Sequence, residues 1–167
     1  MPIKPGEKLP DGQLQEFIEV ETAGCSLGPN TFKVEDLVKG KKIVIFGLPG
    51  AYTPTCSAKH VPGYLQQYDA LKARGVDEIW CVSVNDAFVM GAWGKANSCG
   101  GKVRMLADGN GEFTRAVGLS LDASGFGMGE RSQRYAMILR DGKVEALMVE
   151  PGPGLKASSA DAVLARL

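Results

Sequence analysis

Continuous apolar runs alternate with amphipathic stretches along most of this chain. Ile43-Val44-Ile45-Phe46, Ile79-Trp80-Cys81-Val82 and Tyr135-Ala136-Met137-Ile138-Leu139 lack polar alternation, the pattern of strands buried on both faces. After the first run, Val61, Tyr64, Leu65, Tyr68 and Leu71 recur at helical spacing and predict one apolar helix face. Pro62 lies inside that pattern and predicts a kink, and Gly75 predicts a stop. Residues 78–84 read as a buried strand. Asn85-Asp86 then caps a helix carrying Phe88, Val89, Met90 and Trp93, and residues 103–107 form the next strand. A turn over 108–111 leads to a short helix over 112–117. Residues 134–139 and 143–149 are two strands joined by Asp141-Gly142, a strong hairpin signal, and Ser158-Ser159-Ala160-Asp161 opens a last helix carrying Val163, Leu164 and Leu167.

The flanking regions are less regular. Residues 17–20 and 31–34 are short candidate strands, and 35–39 one helical turn, in a loop-rich N-terminal extension. Residues 119–133, with Gly125, Gly127 and Gly129, read as a long loop; no strand opens these glycines and no helix follows, so they do not form a dinucleotide loop. The order βαβαβα followed by ββα predicts an α/β fold with a mixed central sheet covered by helices. No linker, repeat or low-complexity tract divides the chain, so residues 1–167 are expected to form one domain.

Charge adds little and excludes much. Nineteen basic residues balance nineteen acidic ones, so nothing marks a nucleic-acid or membrane-surface partner. No apolar run approaches the ~20 residues of a membrane span, and the N-terminus lacks the apolar core of a secretory signal. A cytoplasmic address is the simplest expectation. The cysteines at 25, 56, 81 and 99 are widely separated and His60 is the only histidine, so no metal site or disulfide framework is expected.

The chemistry concentrates in Pro49-Gly50-Ala51-Tyr52-Thr53-Pro54-Thr55-Cys56, between the first buried strand and the helix that follows. Cys56 therefore sits where a loop turns into a helix. The free N–H groups and positive dipole end of that helix favour thiolate over thiol. The segment lacks a Cys-x-x-Cys pair; Thr53 stands where the first cysteine would be, so a single thiolate with a neighbouring hydroxyl is the reactive unit. Thr53 is suited to hydrogen-bond the thiolate and an incoming oxygen, or simply to close the turn; Pro49 either shields the sulfur or is a plain turn residue.

Pro49, Thr53 and Cys56 in the pattern Pro-x-x-x-Thr-x-x-Cys resemble the active-site motif of the peroxiredoxins. The longer string through Ser57, together with residues 82–90 and Arg134-Tyr135-Ala136-Met137, is similar to the subfamily of peroxiredoxin 5 and the type II enzymes, and the similarity runs from about residue 3 to the C-terminus. The resemblance implies a thioredoxin-like fold and a thiol peroxidase. It reduces hydrogen peroxide and small alkyl hydroperoxides without metal or flavin, through a Cys56 sulfenic acid. It assigns the activating cation to Arg134, with Arg131 as competitor or outer support, and points to a homodimer.

His60 lies four positions after Cys56, but a Cys–His hydrolase is rejected because no orienting Asn or Asp is evident; His60 is expected to face solvent. A peroxide-sensing module without turnover is the alternative from another class. The C-terminal position that bears a resolving cysteine in some relatives falls in Gly154-Leu155-Lys156-Ala157-Ser158, which has none. Cys81 matches a resolver of plant relatives but is placed mid-strand and expected to be inert; Cys25 and Cys99 fall in glycine-bearing loops. An external thiol is therefore the expected reductant: glutathione with or without glutaredoxin, or thioredoxin should an internal disulfide form.

Overall fold

The architecture comes from a computed structural model, which describes residues 1–20, 26–152 and 154–167. Strands β1 (Gln13–Val20) and β2 (Ser26–Lys33) form an antiparallel hairpin, followed by the single-turn helix α1 (Val34–Leu37). Strand β3 (Lys42–Leu48) feeds a helical run that opens with a π turn (Cys56–His60) and continues as α2 (Val61–Gln66) and α3 (Tyr68–Ala73). Then come β4 (Glu78–Ser83), α4 (Ala87–Ala96), β5 (Val103–Ala107) and α5 (Glu112–Ala116). The chain closes with the hairpin β8 (Tyr135–Arg140) and β9 (Lys143–Val149) and with α6 (Ala160–Leu164).

The sheet has seven strands in the order β2-β1-β5-β4-β3-β8-β9, with β3, β4 and β5 parallel and the outer pairings antiparallel. The continuous apolar runs are explained by burial on both faces. Val44, Phe46, Leu48, Ile79 and Cys81 point to one side, where they meet Val61, Tyr64, Leu71, Met90, Trp93 and Val163 of the helices. Ile43, Ile45, Trp80 and Val82 point to the other and meet Val34 and Phe113. Alternation along a strand thus splits one apolar run between two cores.

Several expectations need adjustment. The loop over 119–133 contains a two-stranded ribbon, β6 (Ser120–Asp122) with β7 (Glu130–Ser132), enclosing a single 3₁₀ turn (Ser124–Phe126). Its strands are three residues long, too short to show a period of two. Val34 starts α1 instead of ending a strand. The irregularity expected around Pro62 is displaced upstream: Pro62 occupies the first turn of α2, and the widened π turn precedes it. Proline has no N–H to continue a regular ladder, so the change of helical pitch falls at that boundary. The Asp141-Gly142 turn is as expected, with φ of 50° and 78°.

Candidate active site

The site is assembled around the first turns of the Cys56 helix. A Ser57 N–H bond to the Thr53 carbonyl (3.0 Å) closes the entry turn, so the Cys56 backbone lies in the opening turns of the helical run. The preceding loop and the π turn are each held from outside. The Ala51 N–H donates to Asn85 Oδ1 (3.0 Å), at the end of β4, and Trp93 Nε1 of α4 donates to Ser57 Oγ (3.0 Å). Tyr52 takes a left-handed conformation (φ 64°) and leaves its ring exposed. Thr53 and Pro49 are half-buried. The Thr53 hydroxyl donates to the Gly50 carbonyl (2.7 Å), which orients its proton inward and leaves its lone pairs available to accept.

His60 overturns the solvent-facing expectation: it is 1 % exposed. Its ring packs 4.9 Å from Phe46 of β3, and Phe46 in turn stacks flat on Tyr64 at 4.0 Å. The imidazole Nδ1 accepts from Arg134 Nη1 (2.9 Å), and Nε2 lies 3.1 Å from the Ser158 carbonyl. An arginine only donates and a carbonyl only accepts, so the neutral tautomer carrying its proton on Nε2 satisfies both. Burial and then the adjacent Arg134 charge push the His60 pKa down to about 3. A histidine four residues into a helical run reads as solvent-facing unless a distant segment covers it, and here Arg134 and Ser158 do.

Arg134 thus reaches the second turn of the Cys56 helix from the residue just before β8. Arg131 sits elsewhere, donating to the carbonyls of Met128 (2.9 Å) and Val84 (3.2 Å). Its Nη1 lies 3.1 Å from the point where a Cβ on Gly50 would be, so it backs the Cys56 loop. Tyr135 packs against Gly47 so closely that a Cβ there would fall 2.1 Å from the ring, and only glycine fits that place beneath the loop.

Sequence reasoning missed the C-terminal turn. The Ser158 carbonyl accepts from Tyr64 Oη (2.8 Å) as well as facing His60, and the Glu150 carboxylate gathers the Lys156, Ala157 and Ser158 N–H groups and the Ser158 hydroxyl. Burial raises the Glu150 pKa, but these donors outweigh it and the net shift is downward. No motif signals this turn; only its position against α2 reveals it.

The other cysteines are as placed from sequence where they can be seen. Cys81 is fully buried in β4, between Phe46 and Met105 in the ladder. Cys99 is 1 % exposed, and burial pushes its pKa up to about 11, so it is no nucleophile at neutral pH. Cys25 lies outside the described residues. Among the described residues no group of three or more His, Cys, Asp or Glu side chains is arranged to hold a metal ion. A concavity of about 900 Å³ lies between α3 and α4 against Phe17, Tyr68, Phe88 and Met105, away from Pro49, Thr53 and Arg134.

A family model described as Redoxin matches residues 4–164. The chain is 47% identical to Peroxiredoxin-2B of Arabidopsis thaliana over 166 residues, 99% of each protein. The chain belongs to the peroxiredoxin family. Among solved structures, a Burkholderia cenocepacia protein provisionally described as a thioredoxin reductase is 57% identical with a TM-score of 0.96, covering 100% of this chain and 99% of that one. The reduced Prx3 of Vibrio vulnificus in complex with hydrogen peroxide is 48% identical with a TM-score of 0.89, covering 98% of each chain. The fold is accordingly thioredoxin-like, and this peroxiredoxin is a thiol-dependent peroxidase, an enzyme and not a bare sensor. The cytoplasmic expectation is withdrawn. A relative 44% identical over 167 residues is Peroxiredoxin-2E, chloroplastic, of Arabidopsis thaliana, so the family type is not tied to the cytoplasm. No helix among the described residues is long and apolar enough to cross a membrane.

Proposed function

We propose that Cys56 is the peroxide-reacting thiolate and that Thr53, Arg134 and Pro49 form its pocket, within one domain spanning residues 1–167. The observation that carries this is the Arg134–His60 bond, which brings a guanidinium to the helix that starts at Cys56. A cation there favours the thiolate and stabilises charge developing on the peroxide oxygens. The thiolate attacks one oxygen of the O–O bond; the other leaves as hydroxide or alkoxide and takes up a proton, giving water or an alcohol and a Cys56 sulfenic acid. Thr53, with its own proton committed to Gly50, accepts the hydrogen of the incoming peroxide. Pro49 restricts water at the sulfur.

The reductant is an external thiol: glutathione, with or without glutaredoxin. A thiol condenses with the sulfenic acid, releasing water, and a second thiol releases Cys56 and leaves as the disulfide. Cys81 is locked in β4, and the C-terminal turn presents Ala157. A disulfide needs Cα atoms within ~7 Å, which asks for rearrangement of one partner. Mass spectrometry after one equivalent of peroxide and then glutathione should find a glutathione adduct on Cys56. Cys56→Ser should abolish turnover while Cys25→Ser, Cys81→Ser and Cys99→Ser retain most of it. A Cys56–Cys81 peptide with no adduct assigns the reduction to thioredoxin instead.

A homodimer is the proposed assembly. Tyr52 (56 %) in the Cys56 loop and Phe126 (86 %) in the ribbon are large exposed aromatics of the kind that self-association covers. Light scattering at micromolar concentration should report twice the chain mass.

A further inference from the structure

We propose that Glu150 is a positioning residue for the peroxide reaction: it places the Ser158 carbonyl, which fixes the His60 tautomer, which in turn holds the Arg134 guanidinium. The inference rests on the assignment of Cys56 and Arg134 made above.

Glu150 follows β9 and is 9 % exposed. Its backbone N–H donates to the Arg134 carbonyl (2.9 Å), so the two residues are already joined across the β8–β9 ladder. Its carboxylate takes the Ser158 hydroxyl at 2.6 Å, the Ser158 N–H at 2.8 Å, the Ala157 N–H at 3.0 Å and the Lys156 N–H at 3.0 and 3.1 Å. Every one of these is a donor, and only an ionised carboxylate offers acceptors on both oxygens. The turn over 156–158 is thereby drawn onto Glu150, and the Ser158 carbonyl is turned toward α2, where it meets His60 Nε2 and Tyr64 Oη. The path then closes on Arg134 Nη1 through His60 Nδ1. Glu150 thus holds Arg134 twice, directly at the backbone and at the side chain through two intermediaries.

The tautomer is the decisive link. Were the imidazole proton on Nδ1, it would face an arginine N–H, two donors with no acceptor, and this contact to the guanidinium would be lost. The Ser158 carbonyl prevents this by taking the proton's hydrogen bond at Nε2.

The test uses the full chain and exploits the single histidine. In ¹⁵N NMR of the wild type, His60 should show the neutral, Nε2-protonated pattern at pH 7; an Nδ1-protonated or doubly protonated ring there overturns the proposal, with no variant required. Glu150→Gln places an amide NH₂ among donors. It should mix the tautomers, raise the pH midpoint of Cys56 alkylation read on its own peptide, and slow peroxide reaction about tenfold, the scale of one lost charge-assisted hydrogen bond. Glu150→Asp keeps the charge at shorter reach and should restore part of each effect. Glu145→Gln, which removes an exposed β9 carboxylate paired with Arg140, should change none of them. A Glu150→Gln protein with the wild-type tautomer, or with the wild-type alkylation midpoint and rate, overturns the proposal. Failure of the underlying assignment is separately visible: Arg134→Met would then leave Cys56 alkylation unchanged, whereas the tautomer depends on Glu150 and Ser158 and is read without reference to Cys56.

Discussion

Two arginines three residues apart are held by different kinds of contact. Arg131 leaves the short ribbon strand β7 and ends on two backbone carbonyls, those of Met128 and Val84. Arg134, just before β8, donates to a buried imidazole that belongs to the Cys56 helix. The first arrangement ties the ribbon to the end of β4 and backs Gly50, a stapling task that depends on reach. The second brings a cation to the helix that starts at Cys56, and the role proposed for it there depends on charge and direction. Neighbouring positions in a chain can serve unlike purposes because the strand and the ribbon send their side chains into different surroundings.

Neutralising each arginine in turn should separate the two kinds of contact most strongly. Arg134→Met should slow the reaction of Cys56 with peroxide by about a hundredfold to a thousandfold, the usual loss when one electrostatic stabiliser is removed. It should also raise the pH at which Cys56 becomes alkylated. Arg131→Met should stay within about tenfold on the same stopped-flow measurement, since a displaced loop misplaces the thiolate without removing the field. The reverse ranking assigns the activating role to Arg131.

Acidification sharpens the Arg134 side alone. The His60 pKa of about 3 lies below the ~6.5 of an exposed imidazole, so between these values the unfolded chain binds a proton that the folded chain refuses. Stability contributed by His60 is complete above pH ~6.5 and falls by about 1.4 kcal/mol for each unit below it. Arg134 adds to the cost of charging this ring and Glu150 eases it. Urea midpoints between pH 5 and 6.5, above the range where carboxylates protonate, should fall in the wild type and flatten in His60→Asn. An unchanged slope in that variant would mean that the ring is hydrated.

The smallest expected effect touches the Arg131 side. A Cβ at Gly50 would lie 3.1 Å from Arg131 Nη1 and 3.4 Å from Thr53 Cγ2. The end of an arginine can retreat by a few tenths of an ångström, so Gly50→Ala should lower peroxidase activity by about threefold at most, with the loss growing if Thr53 is what moves. A thermal melt beside the peroxide titration should distinguish the two: a displaced Thr53 lowers the peroxide reaction with little change in melting, and a displaced Arg131 lowers the melting temperature as well.

Much of this was legible in the chain. Strands β3, β4 and β8 announced themselves as unbroken apolar runs because each supplies two cores at once, and the cap at Asp86 and the turn at Asp141-Gly142 follow from local chemistry that needs no distant partner. The ribbon of β6 and β7 was not legible, since three-residue strands pairing across a glycine-rich turn leave too few positions to reveal alternation. His60 was not legible: whether it met water or Arg134 depended on the segment that enters β8, more than seventy residues later in sequence.

The family and its kind of chemistry were legible from the chain alone, because Pro49, Thr53 and Cys56 lie within one short segment and the motif needs no distant partner. Tertiary structure alone decided the environment: the burial of His60, the separation of Arg131 from Arg134, and the turn of residues 156–158 drawn in by Glu150. The physical reason is range. Helix ends, caps and tight turns are set by interactions over a few residues, whereas the dielectric around an imidazole and the acceptor that meets a guanidinium are set by segments that become neighbours only when the sheet closes.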